Sequence, residues 1–456
     1  MYNQKEVIVL SYIFETTPTI SMPKQAENQV INEFLSNYTY GKKWNVVYSD
    51  ENYITVGNYT KAEYGNAEYV INATDGGVYI EGCDFPATMR GFMTFLEKIK
   101  YSDSDDSFYI ENCLIAEKPL IAFRCTHLCI FPETKLDFFK KCVRSCAVAK
   151  YSHIIFEFWG LFKYDCMKEF CWPFAYSKED IREIVKEANA LGVEIIPMFN
   201  HLGHASSCRE ANGKHVVLDQ NPKYEYMFGS YGWTWNFERP DVYKLLADIR
   251  DELMEVCGNG KYFHLGCDEA YCFGHEEDRA RAMVEYLNKV SDELNSKGRR
   301  GIIWHDMLLS KSEFKGYVAN SEESIANMLI NSLDKRLIIA DWQYDVHGEI
   351  WKTSARFKEI GFDVICCPWD SRRNIHEAVD TVVANDLTGI IHTTWHTLFR
   401  GFHEMIYAGI VSYGADKGNL DDIYRFYCAD VARKAMPSFG EYEKCGWSEK
   451  MTGPGL

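Results

Sequence analysis

Residues 263–270 read FHLGCDEA, an apolar segment that runs into two adjacent carboxylates. The apolar residues predict a strand at Tyr262–Gly266, and a helical pattern follows at Glu277–Ser296. A short buried strand, a polar loop and a helix form the repeating unit of α/β proteins. This stretch therefore predicts one βα unit that carries Asp268 and Glu269 at the carboxyl end of its strand.

The same unit recurs through most of the chain. Seven further strands are predicted from apolar runs at Leu120–Arg124, His153–Phe158, Val193–Phe199, Gly301–Trp304, Leu337–Trp342, Asp363–Cys367 and Gly389–Thr394. Helical patterns separate them, for example at Thr134–Ala149, Ser177–Leu191, Pro240–Val256 and Ile375–Asn385. Eight strands that alternate with helices over about 290 residues predict an α/β fold, a (β/α)8 TIM barrel. An open doubly wound sheet would usually carry a glycine-rich turn after its first strand, and Arg124-Cys125-Thr126 is not one.

A small α/β domain is predicted ahead of the barrel, over residues 1–115. Two strands and a helix are expected in it, at Glu68–Asn72, Val78–Glu81 and Ala87–Ile99. The boundary is placed near residue 115 because Lys118-Pro119 directly precedes the first apolar strand of the barrel. The barrel, with a C-terminal helical segment, is assigned to residues 116–456.

The bulk composition limits the partners and the compartment. A formal net charge of −17 argues against nucleic acid or an anionic membrane as a partner, because both require basic patches. The N-terminal segment lacks the pattern of a secretory signal, and no apolar run approaches the length of a membrane span. The 16 cysteines include no CxxC pair, so we expect reduced thiols in the cytoplasm rather than disulfides or a zinc ribbon.

Catalytic residues of a TIM barrel lie at the carboxyl ends of its strands. In this chain those positions are rich in Trp, His and carboxylates: Arg124, Glu157, Trp159, Asn200, His201, His204, Asp268, Glu269, Trp304, His305, Asp306, Trp342, Tyr344, Trp369, Asp370, Trp395 and His396. The pair Asp268-Glu269 is the sharpest signal among them. Neighbouring carboxyls oppose each other's ionisation, and burial favours one of them staying protonated. A neutral acid beside an ionised partner is what glycoside cleavage requires.

Several of these segments resemble glycoside hydrolase family 20, the β-N-acetylhexosaminidases. Phe263–Ala270 resembles the family's H-x-G-G-D-E segment, and Ile195–Ala205 (IIPMFNHLGHA) resembles its third-strand I-P-E-x-x-x-P-G-H-x. Three shorter matches are Phe123-Arg124 to the first-strand arginine, Ile302–Asp306 to the fifth-strand G-W-D/E, and Trp395 to the tryptophan of the last-strand W-x-E. The matches follow the family's order and cover most of the chain.

The resemblance implies an exo-acting, retaining glycoside hydrolase that releases a terminal β-linked N-acetylhexosamine, GalNAc or GlcNAc. Catalysis would be substrate-assisted: the acetamido oxygen of the sugar attacks the anomeric carbon, so the site needs no enzyme nucleophile, cofactor or metal. By position, Asp268 would orient the acetamido group. Glu269 would protonate the leaving oxygen and then activate water.

Substrate-binding roles follow from the same resemblance. Arg124 would hold ring hydroxyls, and His204 would support the acidic pair by hydrogen bonding. The sugar in the −1 subsite would be enclosed by three tryptophans, Trp304, Trp342 and Trp395. Tyr344 is the candidate for the acetamido-binding tyrosine, and Asp370 partly matches the seventh-strand Tyr-x-Asp.

Two strand ends depart clearly from the family pattern. The second-strand H-x-x-D is replaced by Glu157-Phe158-Trp159-Gly160, and the last-strand W-x-E reads Trp395-His396-Thr397. In relatives the carboxylate of W-x-E contacts the outer hydroxyls of the sugar, especially O4. We therefore expect the mechanism to be retained and action on β-linked GalNAc to be appreciable, with preference between the two epimers left open.

Two alternatives remain. A metal-dependent TIM-barrel hydrolase would use the H-x-x-H of His201 and His204, with further ligands from a converging set: His264, Asp268, His305, Asp306 and His396. Against it, the first strand lacks the pair of histidines with which such enzymes commonly begin. A non-catalytic carbohydrate-binding barrel is the second alternative, but it would have no reason to keep both acids. The aglycone and the oligomeric state are open.

Overall fold

A computed structural model describes residues 10–206, 221–229, 232–395, 398–414 and 423–436. Eight parallel strands close into a barrel in chain order. They are β10 Phe123–Ile130, β11 His153–Phe158, β12 Glu194–Met198, β13 Tyr262–His264, β14 Arg300–Trp304, β15 Ile338–Asp341, β16 Asp363–Cys366 and β17 Gly389–Thr393. The predicted TIM barrel is confirmed.

Helices follow the barrel strands and surround them. They are α3 Leu136–Val148, α4 Lys178–Ala190, α5 Pro240–Cys257, α6 Glu277–Ser296, α7 Glu323–Ser332, α8 Lys352–Ile360, α9 Arg372–Asn385, α10 Phe402–Tyr413 and α11 Cys428–Ala435, with a π-helical turn at Ile423–Tyr427. Local chemistry fixes several starts: Ser177 and Asp180 form a reciprocal capping box on α4. Apart from the first strand, the barrel elements predicted above differ from the observed bounds by a few residues at most.

Two smaller sheets precede the barrel. Their elements are β1 Ser11–Ile13, β2 Thr19–Pro23, α1 Gln29–Tyr38, β3 Asn45–Ser49, β4 Tyr53–Gly57, β5 Tyr69–Thr74, β6 Gly77–Gly82, α2 Phe85–Lys98, β7 Lys100–Ser102, β8 Ser107–Glu111 and β9 Cys113–Glu117. One sheet has six strands in the order β3-β2-β4-β6-β5-β9, and the other has three in the order β1-β8-β7. The boundary proposed near residue 115 falls within β9, which pairs with β5.

The first barrel strand begins and ends later than predicted. It spans Phe123–Ile130, so Arg124 is its second residue and lies at the amino end of the barrel, opposite the end that carries the acidic pair. The Arg124 guanidinium is buried and donates to three backbone carbonyl oxygens at 2.6, 2.9 and 3.0 Å. The prediction that Arg124 holds sugar hydroxyls is wrong. Arg124 was predicted as the last residue of the first strand, but it lies near the start of that strand, away from the mouth that carries the acids.

Layers of side chains fill the barrel interior. At the amino end, Phe123 stacks on His153 with ring centroids 4.4 Å apart, and Tyr262 packs edge-on against both. Aliphatic side chains occupy the middle of the barrel. Near the carboxyl end, Trp304 lies 4.3 Å from His264, centroid to centroid. Because the interior is packed in this way, a ligand has to bind above Trp304, at the carboxyl-end mouth.

Membrane and redox features were also predicted from the sequence. In the described ranges, no helix combines the length and apolar character needed to cross a bilayer. The cysteines of those ranges are all free thiols. Most are buried, and burial raises the pKa of thiols such as Cys125 and Cys366.

Candidate active site

A strained turn carries the acidic pair to the mouth of the barrel. Strand β13 ends at His264, and the next residues include Gly266 at φ +68°, Cys267 at φ +79° and Glu269 at φ +50°. Non-glycine residues rarely adopt positive φ, and such conformations concentrate at functional sites. A Cβ on Gly266 would lie 1.4 Å from Oδ1 of Asn200, so the turn requires glycine there.

Asp268 and Glu269 share the imidazole of His204. Nε2 of His204 lies 3.3 Å from Oδ2 of Asp268 and 3.2 Å from Oε2 of Glu269. Asn200 Nδ2 donates to the other carboxylate oxygen of Asp268 at 2.9 Å. The Asp268 side chain is 9% exposed and that of Glu269 is 33% exposed. His204 thus lies beside one nearly buried and one accessible carboxyl, and its supporting role stays a prediction.

The main chain of Glu269 is held on both sides. Its N–H donates to Oδ2 of Asp306 at 2.8 Å, and its carbonyl oxygen accepts from Nε1 of Trp233 at 2.9 Å. Tyr271 follows closely, and partial burial, then the charge of Glu269, raise the pKa of its hydroxyl. The accessible carboxyl is therefore attached to a backbone with little freedom.

Asp306 is a third carboxyl beneath the pair. It is fully buried, and its Oδ2 also accepts from Nδ2 of Asn320 at 2.7 Å. Burial first, and then the charge of Asp268, raise its pKa to about 6. The mouth of the barrel therefore holds a third carboxyl, whose ionisation is opposed by burial and by the charge of Asp268.

An aromatic wall stands beside the acids. Trp342 stacks on Tyr344 at 5.2 Å and 27°, and Trp304 lies 5.4 Å from Trp395. Nε1 of Trp395 donates to the hydroxyl of Tyr344, which also contacts Oγ1 of Thr393 at 3.3 Å. Burial raises the pKa of Tyr344 well above its ordinary value, and the charge of Asp268 adds to the shift. The predicted tryptophans and Tyr344 thus come together near Asp268.

Two buried polar side chains of the first two barrel strands lie beside the aromatic wall. His127 Nε2 lies 2.9 Å from Oε2 of Glu157, and Trp159 Nε1 donates to the same oxygen at 3.2 Å. The His127 ring is 4.8 Å from that of Trp395. Glu157 was among the strand-end residues of the sequence, whereas His127 was missed. Its signal was the apolar run 128–131, which shows that the strand continues beyond Arg124.

The remaining predicted residues lie at the rim or outside it. Asp370 follows β16 and forms a 3.5 Å ion pair with Arg400 after β17. The adjacent Trp369 has its ring 5.2 Å from Tyr344, so the seventh strand still contributes to the aromatic wall. His396 and Thr397, which carry the predicted loss of the last-strand carboxylate, lie outside the described residues.

The structure separates the H-x-x-H pair. His201 is buried behind β12, where its Nδ1 meets the Phe199 carbonyl oxygen at 2.7 Å and Arg250 contacts its Nε2 at 3.1 Å. A nitrogen that faces a guanidinium is not available to a cation. Among the described residues, one group of three potential ligands lies close enough together to hold a metal ion: His127, Cys129 and Glu157. In that group, Oε2 of Glu157 already accepts hydrogen bonds from His127 and Trp159.

A family model matches this part of the barrel. Residues 164–371 match the model of glycosyl hydrolase family 20, catalytic domain. The range includes the acidic pair, His204, Asp306 and Tyr344.

Two curated proteins illustrate the likeness in sequence. Hexosaminidase D of Bos taurus is 24% identical over 263 residues, which cover 52% of this chain and 74% of that protein. Lacto-N-biosidase of Bifidobacterium bifidum is 22% identical over 272 residues, which cover 55% of this chain but 23% of that protein.

Solved structures share the fold at low identity. The GH20 β-N-acetylhexosaminidase of Streptomyces coelicolor A3(2) has a TM-score of 0.64 and 16% identity, with 94% of both chains covered. The GH20 exo-β-N-acetylglucosaminidase of Vibrio harveyi, solved as an inactive mutant, also has a TM-score of 0.64, with 14% identity and coverage of 93% of this chain and 75% of that one. The likeness therefore includes the small leading domain as well as the barrel.

Proposed function

We propose that the chain, whose residues 164–371 match the catalytic-domain model of glycosyl hydrolase family 20, is an exo-acting, retaining β-N-acetylhexosaminidase. The observation that carries the proposal is the pair Asp268-Glu269, bridged by His204 and placed beside an aromatic pocket. The nearly buried acid and the accessible acid suit different tasks in one reaction.

The proposed reaction has two steps. In the first, the acetamido oxygen of the sugar attacks C1, the glycosidic C1–O bond breaks, and the carboxyl proton of Glu269 passes to the leaving oxygen. Asp268 accepts the acetamido N–H and stabilises the positive charge that develops on the oxazolinium ring. In the second step, water attacks C1, Glu269 takes the water proton, and the bond between C1 and the acetamido oxygen of the oxazolinium ring breaks. Two inversions at C1 give retention.

The aromatic wall would hold the acetamido group. Trp342, Tyr344 and Trp304 present apolar faces near Asp268 that suit its methyl group. Nε1 of Trp304 and Nε1 of Trp342 are buried and find no hydrogen-bond acceptor among the described residues. A bound oxygen would satisfy a buried N–H of this kind, which otherwise costs about 1–3 kcal/mol.

The outer hydroxyls would meet Glu157 and His127. Glu157 is the penultimate residue of the second barrel strand and His127 lies within the first; both are buried, and His127 contacts Trp395, whose ring we assign to the −1 subsite. We propose that this pair takes over part of the hydroxyl recognition that the resemblance had given to Arg124. Action on β-linked GalNAc as well as GlcNAc is part of the proposal.

The compartment is proposed as the reducing cytoplasm. The free thiols of the described residues support it, since a chain with many buried, unpaired cysteines suits a reducing environment. Titration of the purified native protein with a thiol reagent before and after reduction tests this, and additional thiols on reduction would contradict it.

A panel of four p-nitrophenyl glycosides tests the activity: β-GlcNAc, β-GalNAc, β-glucoside and β-galactoside. We expect hydrolysis of the two N-acetylated sugars and rates at least about a hundredfold lower on the others, because these lack the attacking acetamido oxygen. Product analysis by NMR should show initial release of the β-anomer. Equal rates on glucoside and N-acetylglucosaminide would refute substrate assistance.

A further inference from the structure

Asp306 is a buried carboxyl that contacts the catalytic pair through the backbone. It follows β14, and its Oδ2 accepts the Glu269 N–H at 2.8 Å and the Asn320 side-chain N–H at 2.7 Å. Glu269 stands at φ +50°, in the left-handed region that a non-glycine residue avoids by about 1–2 kcal/mol. An acceptor fixed below its N–H is one way to keep this conformation populated.

The charge of Asp306 is also significant. Its other carboxylate oxygen, Oδ1, is buried and has no hydrogen-bond donor among the described residues. Ionised Asp306 is therefore a negative charge in a buried site, where its Coulomb interactions with neighbouring groups are strong. The titratable groups that face it are Asp268, the adjacent His305 and Tyr271, whose hydroxyl pKa the charge of Asp306 helps to raise.

We propose that Asp306 is the positioning residue of the acidic pair: its carboxylate holds the main chain of Glu269 in the left-handed conformation and adds a negative charge beside Asp268. The inference rests on the proposed function, because the position of the Glu269 carboxyl matters to catalysis only if that carboxyl takes part in the reaction. It assigns a role to a carboxyl that neither of the two catalytic steps uses.

Two substitutions separate the hydrogen bond from the charge. Asp306→Asn keeps an oxygen that accepts both N–H groups and removes the charge. Asp306→Ala removes both. Asp341→Asn is the matched control, since Asp341 is equally buried at the end of the neighbouring strand, and its carboxylate meets Thr353, Ser354, Gln343 and His305 rather than the main chain of Glu269.

The readout is the pH dependence of kcat/KM on an aryl β-N-acetylhexosaminide. For Asp306→Asn we expect the profile to move toward acid by about half to one pH unit, because a removed negative charge makes neighbouring acids easier to ionise. For Asp306→Ala we expect the same displacement and a kcat about a hundredfold lower, as the reacting group is misplaced. Asp341→Asn should leave the position of the profile unchanged. An Asp306→Asn profile that coincides with wild type would overturn the charge role, and full kcat in Asp306→Ala would overturn the positioning role.

Thermal unfolding tests the buried charge without substrate. Burial and the charge of Asp268 raise the pKa of Asp306 to about 6, above its unfolded value. Folded Asp306 is therefore penalised as pH rises, and the Tm of Asp306→Asn relative to wild type should increase between about pH 4 and about pH 7. A pH-independent difference contradicts the inference. If the wild-type enzyme cleaves no N-acetylhexosaminide, the proposed function fails, while this measurement still decides whether Asp306 carries the charge.

Discussion

Nε2 of His204 lies 3.2 Å from Oε2 of Glu269, and the same nitrogen is 3.3 Å from Oδ2 of Asp268. One ring N–H is thus shared by two carboxylates that would otherwise repel each other. The His204 backbone is at φ +56°, and its ring lies 4.2 Å from that of Trp233. The position of this imidazole is therefore fixed by both backbone and packing, and the geometry makes it a bridge between the two acids.

Replacement of His204 should weaken catalysis more than folding. Asn suits the test because it tolerates positive φ but is too short to reach both carboxylates. We expect His204→Asn to lower kcat/KM about ten- to a hundredfold, the cost of one or two lost hydrogen bonds to charged groups. His275→Asn is the control, since His275 is exposed on a neighbouring loop. Equal activity of the two variants would show that His204 does not contribute to catalysis.

Glu269→Gln should abolish turnover of natural glycosides and leave the fold intact. An amide cannot protonate the leaving oxygen, whereas p-nitrophenolate leaves without full protonation. We therefore expect a far larger loss on an N-acetylhexosamine disaccharide than on the aryl glycoside. Circular dichroism of the variant supplies the folding control. Cleavage of the disaccharide at a near wild-type rate would show that another residue is the acid.

The turn below the acids gives a stability prediction with a matched control. Gly266 and Gly298 both have positive φ, +68° and +73°, but a Cβ on Gly266 would meet Asn200 at 1.4 Å while one on Gly298 meets no atom within 4 Å. We expect Gly266→Ala to cost about 2–5 kcal/mol in unfolding free energy, against about 1–2 kcal/mol for Gly298→Ala. Because Asn200 must move, Gly266→Ala should also lose activity. Similar urea midpoints for the two variants would contradict the crowding.

The fold was predictable because the apolar strands are short, evenly spaced and separated by amphipathic helices. The strand at His153–Phe158 and the helix at Glu277–Ser296 were predicted at their observed bounds. The first strand was misread because Arg124, Thr126 and His127 interrupt its apolar run, and Arg124 was taken as the strand end. Inside a barrel, a buried histidine with a carboxylate partner is compatible with a strand, and that partner lies on another strand.

The acidic pair was predictable for a similar reason, since strand and rim are adjacent in sequence. Contacts that join different loops could not be predicted from the sequence. Asn320 and Trp233 reach Asp306 and Glu269 from segments with no motif of their own, and their roles depend on how those loops fold back. Arg124 shows the opposite error, a residue type that fits the motif but lies at the wrong end of its strand.

Substrate assistance and metal dependence can be tested in one experiment. NAG-thiazoline mimics the oxazolinium ring and, under the proposed mechanism, should inhibit strongly, because Asp268 and the aromatic wall would bind that ring more tightly than the substrate. EDTA should leave activity unchanged, since the one described group able to hold a metal, His127, Cys129 and Glu157, is already connected by hydrogen bonds. Loss of activity on chelation that zinc restores would favour the metal-dependent alternative.

Glu157 offers a test of sugar specificity. Its carboxylate lies at the mouth between His127 and Trp159, close to the ring we assign to the −1 subsite. Glu157→Gln keeps the shape and removes the charge. We expect it to raise KM for both N-acetylated sugars and to change the ratio of their kcat/KM values, because we propose that Glu157 contacts the outer hydroxyls, and the two sugars differ at the 4-hydroxyl. Asp370→Asn, at the exposed rim, is the comparison for a more distant carboxylate.

The epimer preference is the last prediction. GlcNAc and GalNAc differ only in whether the 4-hydroxyl is equatorial or axial, and in relatives the carboxylate of W-x-E helps to hold it. This sequence has Thr397 at that position, and Arg124 lies at the other end of the barrel. A lost hydrogen-bond partner costs about 1–3 kcal/mol, enough to change epimer preference about ten- to a hundredfold. We therefore expect appreciable, and even preferred, action on β-linked GalNAc. Measurement of kcat/KM on both p-nitrophenyl sugars decides it: a GlcNAc preference above about a hundredfold would mean that Glu157, Asp370 or His396 restores the usual contacts.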